Sequence, residues 1–249
     1  MPLLLYEDSP LAAAVVGAIR SGDIMKLKQL LADHPGLASA RIEESSAAQK
    51  RGTRSMSRTL LHVTADWPGH VPNGAAAVAA LAEAGGDVNA RFIGPHEETA
   101  LHWAASSNDT DVLDALLDAG ADINSPGAVI GGGTPLDDAV AFGQWQAARR
   151  LVQRGAQLKL WNAAALGLMD YVKACYKSNK PPGADETTQA FWLACHGGQL
   201  KAAQFLAERG ADLNWIGYDA LTPLDAASRS NAMELVEWLL KRGARPGST

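Results

Sequence analysis

The side chains best suited to chemistry are few and scattered. Cys195 and His196 are adjacent, a thiol beside an imidazole, which is the pairing used in nucleophilic catalysis. On a helix, however, sequence neighbours point about 100° apart and do not face one another. The expectation for Cys195 is therefore an inert, helix-packed thiol. Asp66, His70 and His96 are the residues from which a metal site could be assembled, yet no HxH or HExxH spacing supports one. Cys175 and Cys195 form no CxxC and have no second pair, so neither a zinc site nor a disulfide framework is suggested, and a reducing compartment is expected. These residues lead us to expect no catalytic residues, no metal, no cofactor and no enzymatic activity.

The elements that would position such residues come from internal repetition. TLLHVTA from Thr59, TALHWAA from Thr99, TPLDDAV from Thr134, QAFWLAC from Gln189 and TPLDAAS from Thr222 align with one another. Each is followed by a second element: AGGDVN around Gly85, AGADIN around Gly120, RGAQLK around Gly155, RGADLN around Gly210 and RGARPG around Gly243. In four of the five the glycine falls 21 residues after the first position. The residue types predict two short antiparallel helices and a turn. Thr caps a first helix whose opening position suits Pro, as in Thr134-Pro135 and Thr222-Pro223. Leu and paired Ala keep that helix slim. In the Thr99 unit Val112, Leu113, Leu116 and Leu117 then form the apolar stripe of a second helix, which Gly120 is placed to end. One unit cannot bury such a stripe alone, so units must stack.

The spacing and the TPLH-type opening resemble the ankyrin repeat over nearly the whole chain. The resemblance implies an all-α solenoid of about seven helix-turn-helix units in a single domain spanning 1–249. The units fall at about 5–40 as an N-terminal cap, 59–90, 99–125, 134–159, 160–181, 189–214 and 222–247 as a C-terminal cap. The fifth, LWNAAALGLMDYVKACY, is degenerate and lacks about nine residues of its hairpin. Residues 41–58 form a candidate long loop, with Arg41, Lys50, Arg51, Arg54 and Arg58 against Glu43 and Glu44. The turn-rich KSNKPPGADETT from Lys177 is expected to be irregular.

Ankyrin proteins use hairpin tips and the exposed ends of inner helices to bind other proteins. Carried over to this chain, that implies a concave contact face containing Arg58, Asp66, Trp67, His70, His96, Glu98, Ser106, Ser107, Phe142, His196, Tyr218 and Arg229. The resemblance also gives His62 and His102 a structural role, each imidazole bonding a neighbouring turn, with Asp137 and Asp225 in the same slot of other units. Two alternatives stay open: a small-molecule sensor or hydrolase with a pocket at the irregular fifth unit near Trp161, Trp192 and His196, and anion binding through the basic 41–58 loop.

Composition narrows the partners. The chain has 249 residues, 47% of them hydrophobic, and a formal net charge of −5. A net acidic body is not drawn to nucleic acid or to anionic membrane. MPLLLYEDSP has no basic n-region, and the apolar run from Leu11 to Ile19 is too short to span a bilayer, so a cytoplasmic location is expected; a monomer is expected there, with the protein partner that the resemblance implies. No Lys or Arg lies between Arg91 and Arg149, whereas nine acidic residues do: Glu97, Glu98, Asp109, Asp111, Asp114, Asp118, Asp122, Asp137 and Asp138. Asp111, Asp114 and Asp118 are expected on a solvated outer face, and the acidic block favours a basic protein partner.

One stretch departs from what the repeat needs. From Thr59 to Gly85 is 26 residues against 21 in the sister units, and the surplus falls in the inter-helix turn as DWPGHVPNG, residues 66–74. Two prolines make this insertion stiff. Trp67 is expected either as a contact residue or folded back over the outer helix.

Overall fold

The computed structural model describes residues 3–43 and 56–247, and these divide into two compact units, 1–156 and 157–249. In the first unit β1 (Leu4–Tyr6), α1 (Pro10–Ser21) and α2 (Ile24–Asp33) are followed by β2 (Arg41–Glu43) and β3 (Ser57–Thr59). Three helix pairs come next: α3 (Leu60–Ala65) with α4 (Gly74–Glu83), α5 (Ala100–Ser106) with α6 (Thr110–Asp118), and α7 (Pro135–Ala141) with α8 (Trp145–Gln153). The inner helices α1, α3, α5 and α7 pack each on the next, and the outer helices α2, α4, α6 and α8 do the same. The second unit repeats the scheme with α9 (Leu160–Leu166) and α10 (Met169–Lys177), α11 (Ala184–His196) and α12 (Leu200–Ala207), and α13 (Pro223–Arg229) and α14 (Met233–Lys241).

The inner helices start where the threonines put them. The Thr59, Thr134 and Thr222 side chains accept from the backbone N–H of His62, Asp137 and Asp225, and Pro135 and Pro223 fill the first helical position. Their buried faces are Leu and Ala, as in α3 (Leu60, Leu61, Ala65) and α5 (Leu101, Ala104, Ala105). On α6, Val112, Leu113 and Leu116 are buried while Leu117 is only half-buried. Each outer helix of the 21-residue units ends in a glycine with positive φ, 94° at Gly120, a region that costs glycine nothing.

In α3 and α5 the third residue ties one repeat to the next. His62 Nδ1 accepts from the Thr59 backbone N–H at 3.3 Å, which leaves Nε2–H to donate to Glu98 O, 36 residues on, at 3.1 Å. His102 does the same with the Thr99 N–H at 3.1 Å and Gly133 O at 3.4 Å. Burial holds both imidazoles neutral, with pKa values lowered to about 4. Asp137 and Asp225, in the equivalent slots, accept from the Thr134 and Thr222 N–H at 2.9 and 3.0 Å, and Asp225 also accepts from the Gly247 N–H at 2.8 Å.

Two segments depart from the sequence expectations. Residues 41–58 were expected as a loop, but both ends of the segment are strands of a three-stranded sheet in the order β1-β2-β3, with β1 parallel and β3 antiparallel to β2. Leu5 and Ile42 are partners in it and point into the core. Arg41 is spent within the fold, its Nε on Ser57 Oγ and its Nη2 on Ser57 O and Arg91 O, each at 2.8 Å. Glu44, Lys50, Arg51 and Arg54 lie outside the described residues. The second correction is α11, which begins at Ala184, so ADETT is helical rather than irregular. Pro181, Pro182 and Gly183 end the preceding segment, and Asp185 and Glu186 then suit a helix N-terminus, with Glu186 Oε2 accepting from the Gly183 N–H at 3.0 Å.

The acidic stretch is likewise not simply a solvated face. Asp114 on α6 accepts from Arg150 Nε at 2.8 Å and from Arg154 Nη1 at 2.7 Å, and Asp118 accepts from Arg154 Nη2 at 2.6 Å, so α8 brings the missing cations to α6.

Stacked helices predict position-dependent stability. Leu116→Ala, fully buried on α6, is expected to cost about 2–5 kcal/mol in urea titrations, against at most about 0.5 kcal/mol for the exposed Lys28→Ala. The histidines predict acid sensitivity. Their folded pKa values lie below the unfolded value of 6.5, so the stability they contribute is full above about pH 6.5 and is lost as pH falls toward about 4. His62→Gln is expected to make this acid limb shallower in titrations repeated across that window, and an unchanged limb would remove His62 from the account.

Candidate protein-contact site

The 66–74 insertion is pinned on both sides. Gly69 N–H closes a turn onto Asp66 O at 2.7 Å. His70 donates its backbone N–H to Asp109 Oδ2 at 2.6 Å and its ring Nε2–H to Ser107 O at 3.2 Å, which fixes the loop to the α5–α6 turn. On the other side Asn73 Nδ2 donates to Gly22 O at 2.9 Å, in the α1–α2 turn. The approach there is close, since a Cβ at Gly22, whose φ is 69°, would lie 2.4 Å from Pro72 O. At the base, Asp66 receives Arg20 at 3.3 Å and Arg58 at 3.5 Å, and Arg58 also reaches Glu7 at 2.7 Å. Held this way, Trp67 is 82% exposed. It is not folded back onto α4.

The other expected contact residues fall into two sets. In the first unit His96, Ser106 and Ser107 are half-buried and Phe142, the C-cap of α7, is 48% exposed. Ser106 Oγ donates to Trp103 O at 3.1 Å. Glu98 is buried and accepts from Trp103 Nε1–H at 3.0 Å, so it is not offered to a partner in this arrangement. Trp103 in turn packs edge-on to His62 at 4.8 Å. In the second unit Tyr218 is exposed and meets Trp192 edge-on at 5.1 Å, and Arg229 pairs with Asp219 at 2.9 Å. His196 is buried, its ring stacked on Trp192 at 5.5 Å and its carbonyl accepting from Ser230 Oγ. Trp192 donates Nε1–H to Leu221 O at 2.8 Å. Trp192 and His196 thus pack the interior of their unit, with Tyr218 at its surface.

The nucleophile and metal readings find no support in the described geometry. Cys195 is fully buried and burial pushes its thiol pKa far up, the opposite of what a nucleophile needs. Among the described residues no group of three or more His, Cys, Asp or Glu is arranged to hold a metal ion. Arg41 and Arg58 of the 41–58 segment are already partnered within the protein. None of the described helices is long and apolar enough to cross a membrane.

Two things escaped sequence reasoning. Asn73 anchors the loop, a role that depends on Gly22 coming near and leaves no local signature. Asp138 is fully buried. That one had a signal: its slot in the repeat is filled by Val63, Trp103, Leu193 and Ala226 in the other units, so a carboxyl there is out of place.

Stacked pairs of short antiparallel helices, threonine caps and glycine-ended outer helices define a repeat protein. The family model for ankyrin repeats (3 copies) matches residues 15–127, 73–162 and 160–249, and the chain belongs to the ankyrin-repeat family. Among curated proteins it is similar to the ankyrin repeat and KH domain-containing protein CBG24701 of Caenorhabditis briggsae, 29% identical over 160 residues, which is 61% of this chain and 6% of the relative. It is also similar to the ankyrin repeat and KH domain-containing protein mask-1 of Caenorhabditis elegans, 30% identical over 142 residues, 57% of this chain and 5% of the relative. The chain thus spans only a small fraction of the length of the relatives it matches.

A buried, high-pKa thiol predicts slow chemistry. Labelling of the folded protein with a thiol reagent is expected to leave Cys195 unmodified until denaturant is added, and rapid modification would restore the nucleophile reading.

Proposed function

We propose that the chain is a protein-binding module whose contact face runs along hairpin tips and inner-helix ends, with Trp67 as its chief anchor. The observation that carries this reading is an 82% exposed Trp on a loop hydrogen-bonded to the turns on either side of it. A large aromatic already held in place loses little entropy on docking, which is why such residues dominate binding energy at interfaces. The repeat itself needs no such residue, because the sister units turn from one helix to the other without the insertion. Arg58, Asp66, His70, His96, Ser106, Ser107 and Phe142 contribute beside it, and Tyr218 and Arg229 are the exposed candidates of the second unit. In this reading the chain comprises seven helix-pair units, the fifth with a shortened hairpin, and works as a cytoplasmic monomer on a protein partner rather than on nucleic acid or membrane. Family membership supports the class of function, since ankyrin repeats generally mediate protein–protein interaction.

Trp67→Ala tests the reading. Because the ring is bare, urea titrations are expected to show a change within about 0.5 kcal/mol. Partners captured from native extract by the wild-type chain and identified by mass spectrometry are expected to bind the variant more weakly by about 2 kcal/mol or more. A variant that melts early but binds with undiminished affinity per folded molecule would reverse the conclusion.

A further inference from the structure

Asp138 lies on α7, fully buried, and among the described residues no N–H or O–H donates to either of its carboxylate oxygens. The side chain within hydrogen-bonding reach is another carboxyl, Glu98, which is itself 7% exposed. Glu98 belongs to the hairpin that precedes α5, and its Oε2 already accepts from Trp103 Nε1–H at 3.0 Å. Two carboxyl groups can hydrogen-bond only if one of them carries a proton. We propose that Glu98 and Asp138 share a single proton and so form a clasp between two consecutive repeats, closed while the proton is held and opened by charge repulsion when it leaves to solvent.

The surroundings favour the protonated state. Burial raises the Asp138 pKa to about 8, aided by the charge of Glu98, the hydrogen bond to it and the charge of Asp137 on the same helix. From α5, packed against α7, the titratable side chain is His102, which burial keeps neutral. On α8, also packed against α7, Arg149 is exposed, and Arg150 and the C-cap residue Arg154 are engaged with Asp114 and Asp118 on α6. None of these supplies a cation to the pair.

The clasp sits beneath the proposed contact face. Phe142, half exposed at the end of α7, donates its backbone N–H to Asp138 O at 2.9 Å, and Trp103, which Glu98 holds, precedes Ser106 and Ser107 by one turn of α5. Opening the clasp would therefore loosen the seam from which those residues project.

Linkage gives the sign. Asp138 binds its proton more tightly in the folded than in the unfolded chain, whose carboxyl titrates near 3.8, so stability falls as pH rises between those values and levels off above about 8. From about pH 6 to about pH 9 the folding equilibrium constant of the wild-type chain is expected to fall roughly ten- to a hundredfold relative to Asp138→Asn. The Asn amide donates to Glu98 without a titrating proton, so that variant should keep the rise that His62 and His102 give as pH passes 6.5 and should lack the fall above it. A direct readout needs no variant. Infrared difference spectra of the wild-type chain should show a protonated-carboxyl stretch near pH 6 that disappears above about pH 9, and Asp138→Asn should lack it. If Asp138→Asn does not fold, Glu98→Gln, which removes the charge of Glu98 and leaves Asp138 raised by burial, is expected to make the alkaline fall smaller in its place. Parallel pH profiles for the wild type and a folded variant, or no protonated-carboxyl band near pH 6, would overturn the clasp.

Discussion

A helix pair of this length has an apolar stripe that it cannot cover by itself, and the rest of the structure follows from that deficit. In α6 the stripe is Val112, Leu113 and Leu116, and it is buried only because α4 lies on one side and α8 on the other. Each repeat is thus stabilised by its neighbours, and stability accumulates along each unit as a sum of local terms and nearest-neighbour terms. Close stacking requires slim inner helices, which explains the Ala residues at Ala104, Ala105, Ala139 and Ala226. Polar groups caught at the junctions must then be satisfied within the junction. The histidines do this by joining a cap to the next hairpin, and the arginines of α8 do it across the outer helices.

The insertion after α3 shows how a scaffold of this kind acquires a feature that stacking does not require. Its hydrogen bonds go to the turns on either side, at Gly22 and at Ser107 and Asp109, so its backbone is positioned by two repeats at once. Asp109 is shared between the two jobs: Oδ1 caps α6 through the Val112 N–H at 3.2 Å while Oδ2 takes the His70 N–H. The loop thereby uses a buried carboxylate that the fold already needed, and Trp67 is left 82% exposed.

Much of this was legible in the sequence because it is periodic. Threonine, the Pro after it, the Leu-Ala pattern and the terminal glycine recur at fixed spacing, and each has a local physical meaning. The insertion was legible by subtraction. What was not legible depends on contacts with no period. The strand character of Arg41–Glu43 and Ser57–Thr59 arises from pairing with Leu4–Tyr6, which no local pattern announces. The burial of Glu98 and His196 depends on Trp103 and Trp192, so assigning both to an exposed face from their repeat positions went astray. The acidic stretch misled for a similar reason, since its cations come from the next repeat.

The buried ionisable groups of the first unit act in opposite directions, and their balance sets where that unit is most stable. His62 and His102 must stay neutral, so each releases its hold as pH falls from 6.5 toward about 4. Asp138 must stay protonated, so its contribution weakens as pH rises from 3.8 toward about 8. Between about pH 4 and pH 6.5 two groups act against one, and stability from these three rises with pH. Above 6.5 the histidines have no more to give and only the Asp138 term remains, which falls. From these groups alone the maximum lies near the unperturbed pKa of histidine, somewhat above the sequence pI of about 5.7. It follows that an apolar residue at 138, such as the Val that fills the slot at position 63, would trade the alkaline limb for a plateau, while leaving the Glu98 carboxylate with Trp103 as its remaining donor.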